Sequence, residues 1–212
     1  MTFEESSRLR ERGQRTLTLF MVAKLKVEGA GEGLCRVRNI SSGGLMLESR
    51  MPLRPDSFVS IELRGMRTLA GRIVWSQNGR AGVSFDQPVT VEELVGPAQT
   101  PGRRVLRNSQ PRGPRLIVDC PIDVQLDSGR IDARLIDISQ GGAKIALPLT
   151  PHRDERLILM IPGLPLKLAI VRWAGEDVGV GFAEPLPFEL LAEWLLVRAA
   201  GEYWDEGATE LA

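Results

Sequence analysis

The feature that most constrains this chain is a repeat within its own sequence. Residues Arg38–Leu47 read Arg-Asn-Ile-Ser-Ser-Gly-Gly-Leu-Met-Leu, and residues Leu135–Leu147 read Leu-Ile-Asp-Ile-Ser-Gln-Gly-Gly-Ala-Lys-Ile-Ala-Leu. The two copies are 98 residues apart, and so are Trp75 and Trp173. A spacing shared by separate landmarks predicts one structural unit that occurs twice.

A third landmark supports the repeat, because Gly82-Val-Ser-Phe85 matches Gly179-Val-Gly-Phe182 at a shift of 97 residues. A chain of 212 residues is long enough for two units of this size. We therefore predict two similar domains, at residues 8–97 and 103–200.

Both copies place an Asn or Asp one residue before an Ile, with a Ser directly after the Ile. On a strand this alternation points the two polar side chains to one face and the Ile to the other. The glycine pairs 43–44 and 141–142 are expected to adopt positive φ in a tight reversal, and Asn39 and Asp137 to bond the backbone two residues on. Two aligned polar groups beside exposed backbone indicate a ligand-binding edge.

Short apolar or alternating segments separated by turn residues predict six strands in each unit, which is typical of a barrel or a sandwich. The predicted strands are Thr16–Val27, Leu34–Ile40, Leu45–Glu48, Phe58–Leu63, Thr68–Trp75 and Arg80–Phe85 in the first unit, and Leu116–Leu126, Arg130–Ile138, Ala143–Leu147, Leu157–Ile161, Leu166–Trp173 and Val178–Phe182 in the second.

A helix is predicted at Pro187–Ala200, where apolar residues recur at helical spacing and the pattern stops at Gly201. Two roles are open for this helix: it closes the end of the second unit, or it contacts the first unit or another subunit. Residues 91–95 form at most a short helical turn. The linker at 101–115 carries five Arg and no acidic residue, and we expect it to be poorly ordered without ligand.

The repeated turn resembles that of a known family. Asn39-x-Ser41-x-x-Gly44 and Asp137-x-Ser139-x-x-Gly142 are similar to the (Asp/Asn)-x-Ser-x-x-Gly motif of PilZ domains, which are six-stranded β-barrels that bind the second messenger cyclic di-GMP. The resemblance covers nearly the whole chain. It implies an all-β fold of two tandem six-stranded antiparallel PilZ-type β-barrels with a C-terminal α-helix.

The resemblance also implies the ligand and the residues that hold it. PilZ domains place an Arg-x-x-x-Arg stretch before the first strand, where it folds over the nucleotide. The implied cyclic di-GMP residues of the second domain are Arg112, Arg115, Asp137, Ser139, Gly141 and Gly142, with Arg103 and Arg107 as further candidates. Those of the first domain are Arg12, Arg15, Asn39, Ser41, Gly43 and Gly44, with Arg8 as a further candidate.

The arginine spacing departs from the family pattern. Directly before each first strand it is one residue short, at Arg12-Gly-Gln-Arg15 and Arg112-Gly-Pro-Arg115, whereas the family spacing occurs upstream, from Arg8 and from Arg103. Loss of one bidentate arginine contact costs about 1–3 kcal/mol, or roughly one to two decades in dissociation constant. Two hypotheses therefore stay open: a cyclic di-GMP receptor, and a PilZ scaffold that acts through protein contacts without nucleotide.

Composition bears on the remaining function classes. The formal net charge is zero, so no general attraction to nucleic acid or to a membrane is expected. The basic residues are 23 Arg and 4 Lys. Few aromatic residues argue against a platform for single-stranded nucleic acid. The sequence has no recognisable nucleophile–base pair and no phosphate-binding glycine loop with Lys, so we do not expect an enzyme.

Two cysteines and a single histidine, His152, predict neither a disulfide framework nor a metal site. The apolar stretch at 157–171 is short and broken by Pro and Gly, and the first residues lack the apolar core of a signal peptide. We expect a cytoplasmic protein without membrane insertion and without a bound cofactor. The resemblance implies a protein partner in motility, biofilm or polysaccharide control.

The two copies are not expected to bind equally. The second has Asp137 where the first has Asn39, and a carboxylate accepts hydrogen bonds from guanine more strongly than an amide oxygen does. Its arginine segment also lacks the glutamates that surround the arginines of the first. We predict that the second domain binds cyclic di-GMP more tightly.

Overall fold

The computed structural model describes residues 17–63, 68–91, 113–199 and 201, and it contains two closed antiparallel barrels. The strands of the first barrel are β1 (Leu17–Val27), β2 (Gly31–Ser41), β3 (Gly44–Ser49), β4 (Phe58–Glu62), β5 (Thr68–Gln77) and β6 (Arg80–Phe85). Those of the second are β7 (Leu116–Leu126), β8 (Gly129–Ser139), β9 (Gly142–Ala146), β10 (Arg156–Met160), β11 (Lys167–Ala174) and β12 (Val178–Phe182).

Strand order is the same in both barrels. It runs β1-β2-β3-β6-β5-β4 in the first and β7-β8-β9-β12-β11-β10 in the second. Pairing of β1 with β4, and of β7 with β10, closes each barrel. The predicted fold class is confirmed. Closure leaves neither sheet with an unpaired edge, which otherwise invites pairing with another chain.

Alternation along the strands builds the two cores. Strand β3 alternates partly exposed with buried residues throughout, and the Ile at the centre of each motif, Ile40 or Ile138, is fully buried inside its barrel. The predicted inward position of the motif Ile is therefore confirmed, whereas Ser139 of the second motif is buried as well. Cys35 and Cys120 are buried thiols, and burial raises the pKa of Cys35 to about 12.

Three bulges occur at matching places in both barrels. They interrupt the pairing of the first two strands, of the second strand with the third, and of the fifth strand with the sixth. In the last of these the extra residue is Val74 in the first barrel and Arg172 in the second. Because a bulge re-aims the side chains beside it, these bulges shape the surface next to the motif.

Helix α1 (Phe188–Ala199) follows β12, and Gly201 ends it at a φ of 78°. Leu191, Trp194 and Leu195 are buried in the core of the second barrel, and the Trp194 Nε1–H donates to the Pro162 carbonyl at 2.8 Å. The helix therefore closes the end of its own barrel.

The same helix also contacts the first barrel, so it has both of the roles left open above. The Arg36 guanidinium of β2 lies 2.6 Å from the Glu189 carboxylate and 4.1 Å from the centre of the Phe188 ring. Leu34, also on β2, is buried within the core cluster of the second barrel. Apolar packing and an ion pair thus join the two barrels.

None of the described helices has the length and apolar character needed to cross a membrane.

Candidate nucleotide-binding site

The two motif turns have the same backbone geometry. In each, the Ser hydroxyl donates to the carbonyl of the final Gly at 3.1 Å, from Ser41 to Gly44 and from Ser139 to Gly142. In each, the carbonyl of the first Gly accepts from the Phe that ends the sixth strand, at 2.9 and 3.0 Å. These bonds fix the turn against its own barrel without any ligand.

The prediction of positive φ at the glycine pairs is wrong, because none of these four glycines is among the residues with positive φ. The second Gly of each pair is required for a different reason. A Cβ on Gly44 would lie 2.3 Å from the Val83 carbonyl oxygen, and one on Gly142 would lie 2.2 Å from that of Val180. The turn packs so tightly on the neighbouring strand that no side chain fits there.

The predicted hydrogen bond from the Asn or Asp to the backbone two residues on is also absent from the described contacts. The Asn39 Oδ1 instead accepts from the Met46 amide of β3 at 3.1 Å. Asp137 instead accepts from the Arg115 guanidinium at 2.8 Å. The bulge before each of these residues places it opposite β3 or β9 rather than in the turn.

The ion pair between Arg115 and Asp137 joins the end of the linker to the motif. The Arg115 side chain is 37% exposed and that of Asp137 is 16% exposed, so the pair lies at the surface with its acidic member half-buried. Lys144, the residue opposite Asp137 on β9, pairs with Asp177 at 2.7 Å, and this hydrogen bond raises the Lys144 pKa. The hydrogen-bonded partner of Asp137 is therefore Arg115, although the charge of Asp137 also contributes to the raised Lys144 pKa.

A cleft of about 720 Å³ opens beside the second motif. Arg115, Ser139, Gly141 and Gly142 line it together with other side chains of the second barrel. Met21 and Val22 of β1 also line this cleft, so the first barrel contributes an apolar wall to the site of the second. The structure thus places four predicted residues around one cavity, and Asp137 contacts it through Arg115.

Among the cleft residues that the sequence reasoning missed are three with guanidinium or indole groups: Arg153, Arg172 and Trp173. Trp173 lies across Gly179, where a Cβ would be 2.1 Å from its indole nitrogen, and 43% of its surface is exposed. Trp173 was recognised only as a landmark of the repeat. The arginines stand on β11 and on the loop before β10, and only closure of the barrel brings them to the motif.

The matching cleft of the first barrel measures about 510 Å³ and is lined by Asn39, Ser41, Gly43, Gly44 and Trp75, among others. None of the described residues that line it is charged. Six predicted site residues lie outside the described part of the chain: Arg8, Arg12, Arg15, Arg103, Arg107 and Arg112. Most of the predicted linker lies outside it as well.

Among the described residues, no group of three or more His, Cys, Asp or Glu side chains gathers to hold a metal ion. Groups that could act on a ligand are instead donors and stacking surfaces: guanidinium groups, the motif turn and an exposed indole. This inventory suits an anionic ligand with planar rings.

The family model of the PilZ domain matches residues 8–96 and again residues 107–196. The chain therefore belongs to the PilZ domain family, as the motif resemblance implied. No curated protein matches the sequence.

Solved structures of three other proteins are similar to this chain. One is PlzA of Borreliella burgdorferi in complex with c-di-GMP, at 12% identity over 89% of this chain and 93% of that one, with a TM-score of 0.34. Another is the inhibitor of motility MotI/DgrA of Bacillus subtilis, at 17% identity over 89% and 100%, with a TM-score of 0.34. The third is YcgR of Escherichia coli in complex with c-di-GMP, at 15% identity over 86% of each chain, with a TM-score of 0.32.

Proposed function

We propose that this protein is a receptor for cyclic di-GMP that changes its domain arrangement or its partner binding when the ligand binds. The observation that carries the proposal is the ion pair between Arg115 and Asp137 at the mouth of the second cleft. It holds the last linker arginine beside the motif, which supports folding of this segment over a nucleotide.

The chemistry of the second cleft supports this ligand. Cyclic di-GMP presents two phosphates and the O6 and N7 acceptors of two guanines, and planar guanidinium groups bind both kinds of acceptor bidentately. The exposed face of Trp173 offers a stacking surface for a purine. We propose Arg112, Arg115, Asp137, Ser139, Gly141 and Gly142 as the binding residues of the second domain, with domain bounds at 103–200.

For the first domain, at 8–97, we propose the scaffold function that was left open above. The Asn39 oxygen is already occupied by the Met46 amide, and the described lining of the cleft carries no charge. A nucleotide would find few donors there. The first domain instead supplies an apolar wall to the second cleft and an interface with helix α1.

In this proposal the protein is a cytoplasmic regulator and not an enzyme, and its output passes to a protein partner. The ligand would act through the segment at 101–115, because its sequence has five arginines and no acidic residue, and a dianionic ligand would reduce the repulsion among these charges. No separate cofactor is required.

Isothermal titration calorimetry of the whole chain with cyclic di-GMP tests the proposal. We expect saturable binding to the wild type, and an Arg115→Ala variant weakened by roughly 5- to 100-fold. Arg130→Ala is the matched control, because Arg130 pairs with Asp123 outside the cleft. Absence of binding to the wild type at saturating nucleotide would refute the receptor function and leave the scaffold.

Hydrogen exchange tests the ordering step separately. Amides in 101–115 are expected to gain protection on addition of cyclic di-GMP, because a segment that orders over a ligand exchanges more slowly. Unchanged exchange at saturation would mean that the ligand binds without ordering this segment.

A further inference from the structure

We propose that Arg153 and Arg172 form a second arginine pair, on the wall of the second barrel, that binds planar acceptor groups of the nucleotide. The acceptors are either the oxygens of a phosphate or the O6 and N7 edge of a guanine. This pair is separate from the linker arginines and from the motif turn. The inference rests on the proposed function, because the same cleft would hold the ligand.

The backbone holds the two arginines on one side of the cleft. Arg172 is the extra residue of the bulge in β11, so it and Trp173 both face outward. The loop that carries Arg153 is tied to the same strand, since the Asp154 amide donates to the Val171 carbonyl and the Val171 amide donates to the Glu155 carbonyl, both at 2.9 Å. Two guanidinium groups thus project from one rigid piece of the barrel.

The Arg172 side chain packs directly over Gly181, where a larger residue would collide with it. A Cβ on Gly181 would lie 2.8 Å from the Arg172 Nε, closer than side chains normally approach. Gly181 pairs directly with Gly142, the last residue of the motif. Arg172 therefore lies across the strand position next to the motif turn, rather than extending freely into solvent.

The charge of the cleft is unbalanced. Its described lining contains three arginines, at positions 115, 153 and 172, and one carboxylate, Asp154, which is 4.0 Å from the Arg153 Nε with both side chains largely exposed. Such an exposed pair contributes little. Arg172 makes no hydrogen bond or ion pair within the described part of the chain. Because Arg115 is already paired with Asp137, the positive charge that this lining offers to a ligand comes from Arg153 and Arg172, and two guanidinium groups match the two phosphates of a cyclic dinucleotide.

The first barrel lacks all three elements of this arrangement. At the positions aligned with Arg153, Arg172 and Gly181 it has Pro55, Val74 and Ser84. Its loop has the same geometry, because Asp56 and Asp154 have φ values of 67° and 68°. Equal backbones with different side chains point to a role of these arginines in binding rather than in folding.

Calorimetry on the whole chain with cyclic di-GMP tests the pair. We expect Arg172→Ala and Arg153→Ala each to weaken binding by roughly 5- to 100-fold, and their combination to weaken it further. Arg156→Ala is the matched control, because Arg156 is exposed on β10 of the same barrel and does not line the cleft. Equal affinities of Arg156→Ala and of the double variant would overturn the inference.

A second variant tests the placement of Arg172 without removing its charge. Gly181→Ser introduces the residue that the first barrel has at Ser84, so the fold tolerates it, but its Cβ displaces the Arg172 side chain. We expect weaker binding from Gly181→Ser with an unchanged melting temperature. Wild-type affinity in this variant would contradict the assigned position of Arg172.

Two further arms distinguish the acceptors. Arg172→Lys keeps a charge for a phosphate but cannot make the bidentate contact to a guanine edge. A phosphate contact predicts partial rescue by Lys and an unchanged preference for cyclic di-GMP over cyclic di-AMP in Arg172→Ala. A guanine contact predicts no rescue and a reduced preference.

The outcomes also separate this inference from the proposed function. If the wild type binds and Arg115→Ala weakens binding, while Arg153→Ala and Arg172→Ala match the control, this inference fails and the proposed function stands. A wild type that binds neither nucleotide refutes both.

Discussion

In the first barrel the Asn39 side chain accepts a hydrogen bond from the Met46 amide, whereas in the second barrel the corresponding Asp137 accepts one from Arg115. The backbones around these residues are nearly interchangeable, with the same Ser-to-Gly hydrogen bond and the same bulges. One side chain therefore bonds its own barrel, and the other bonds the segment that enters the barrel.

This difference distinguishes two requirements on the motif residues: the geometry of the turn and the contacts to a ligand. The Gly and the Ser are needed by the turn itself, since a Cβ on the last Gly meets a backbone carbonyl in both barrels. The Asx residue and the arginines around it are free to change without loss of the fold. A complete motif is thus evidence for the barrel, and the charges around the cleft are the evidence for the ligand.

The largest expected effect is the loss of nucleotide binding when the second motif loses both charged members. Asp137→Ala combined with Arg115→Ala is expected to weaken cyclic di-GMP binding roughly a hundredfold or more, because two charge-assisted contacts are removed. Asn39→Ala combined with Arg15→Ala is the matched pair in the first domain and should retain most of the affinity. The reverse ranking in calorimetry would make the first domain the receptor.

The final glycine of each turn should matter equally for the stability of the two barrels, in contrast to the charged residues Arg115 and Asp137, which only the second motif has in contact. Gly44→Ala and Gly142→Ala are each expected to lower the free energy of unfolding by about 1–3 kcal/mol, because the new methyl group collides with a carbonyl of the neighbouring strand. Gly141→Ala is the control, since no atom lies within 4 Å of its Cβ position. Denaturant titrations of the three variants would contradict this account if Gly142→Ala were as stable as Gly141→Ala.

The repeat was sufficient to predict the barrels because each strand has a simple apolar alternation and each turn has clear breaking residues. Strand bounds moved by a few residues, as at β2, which begins at Gly31 rather than at Leu34. These shifts occur where a hairpin extends the ladder into residues without a strong strand preference. Helix α1 was predicted almost to its ends by its apolar spacing and Gly201.

The site was predicted less completely. The motif pointed to Ser139 and Asp137, and the family pattern of arginines before the first strand pointed to Arg115, because these candidates are defined by short spacings. Arg153 and Arg172 belong to different elements, and their proximity to the motif depends on how the barrel closes. A comparison of the two copies position by position could have revealed them, since the first copy has Pro55 and Val74 instead.

Exchange of Asp and Asn between the two motifs tests the same comparison, with a smaller expected change in affinity. Asp137→Asn keeps the shape but replaces the ion pair with Arg115 by a hydrogen bond from the charged guanidinium to a neutral amide oxygen, which costs about 1 kcal/mol, or roughly fivefold in affinity. Asn39→Asp should change the affinity less than twofold, because no arginine lines the described part of that cleft. Calorimetry on both variants that gave the opposite order would contradict the role assigned to Asp137.

The smallest effect concerns the contact between Arg36 and Glu189, which joins the first barrel to helix α1 of the second. The hydrogen bond from Arg36 lowers the Glu189 pKa below its ordinary value of 4.5. A lowered pKa in the folded protein means that this contact stabilises the folded state above the ordinary pKa and loses its effect as the pH falls through the lowered value. The coupling between Arg36→Ala and Glu189→Gln in a double-mutant cycle should therefore be measurable at pH 7 and fade below pH 4.5. Glu193→Gln changes an exposed glutamate of the same helix and is the control, which should show no coupling to Arg36 at either pH.

Because Arg36 also packs on the Phe188 ring, a residual effect of Arg36→Ala alone on stability should persist in acid. A coupling that is unchanged at low pH would mean that the charge of Glu189 does not contribute to it.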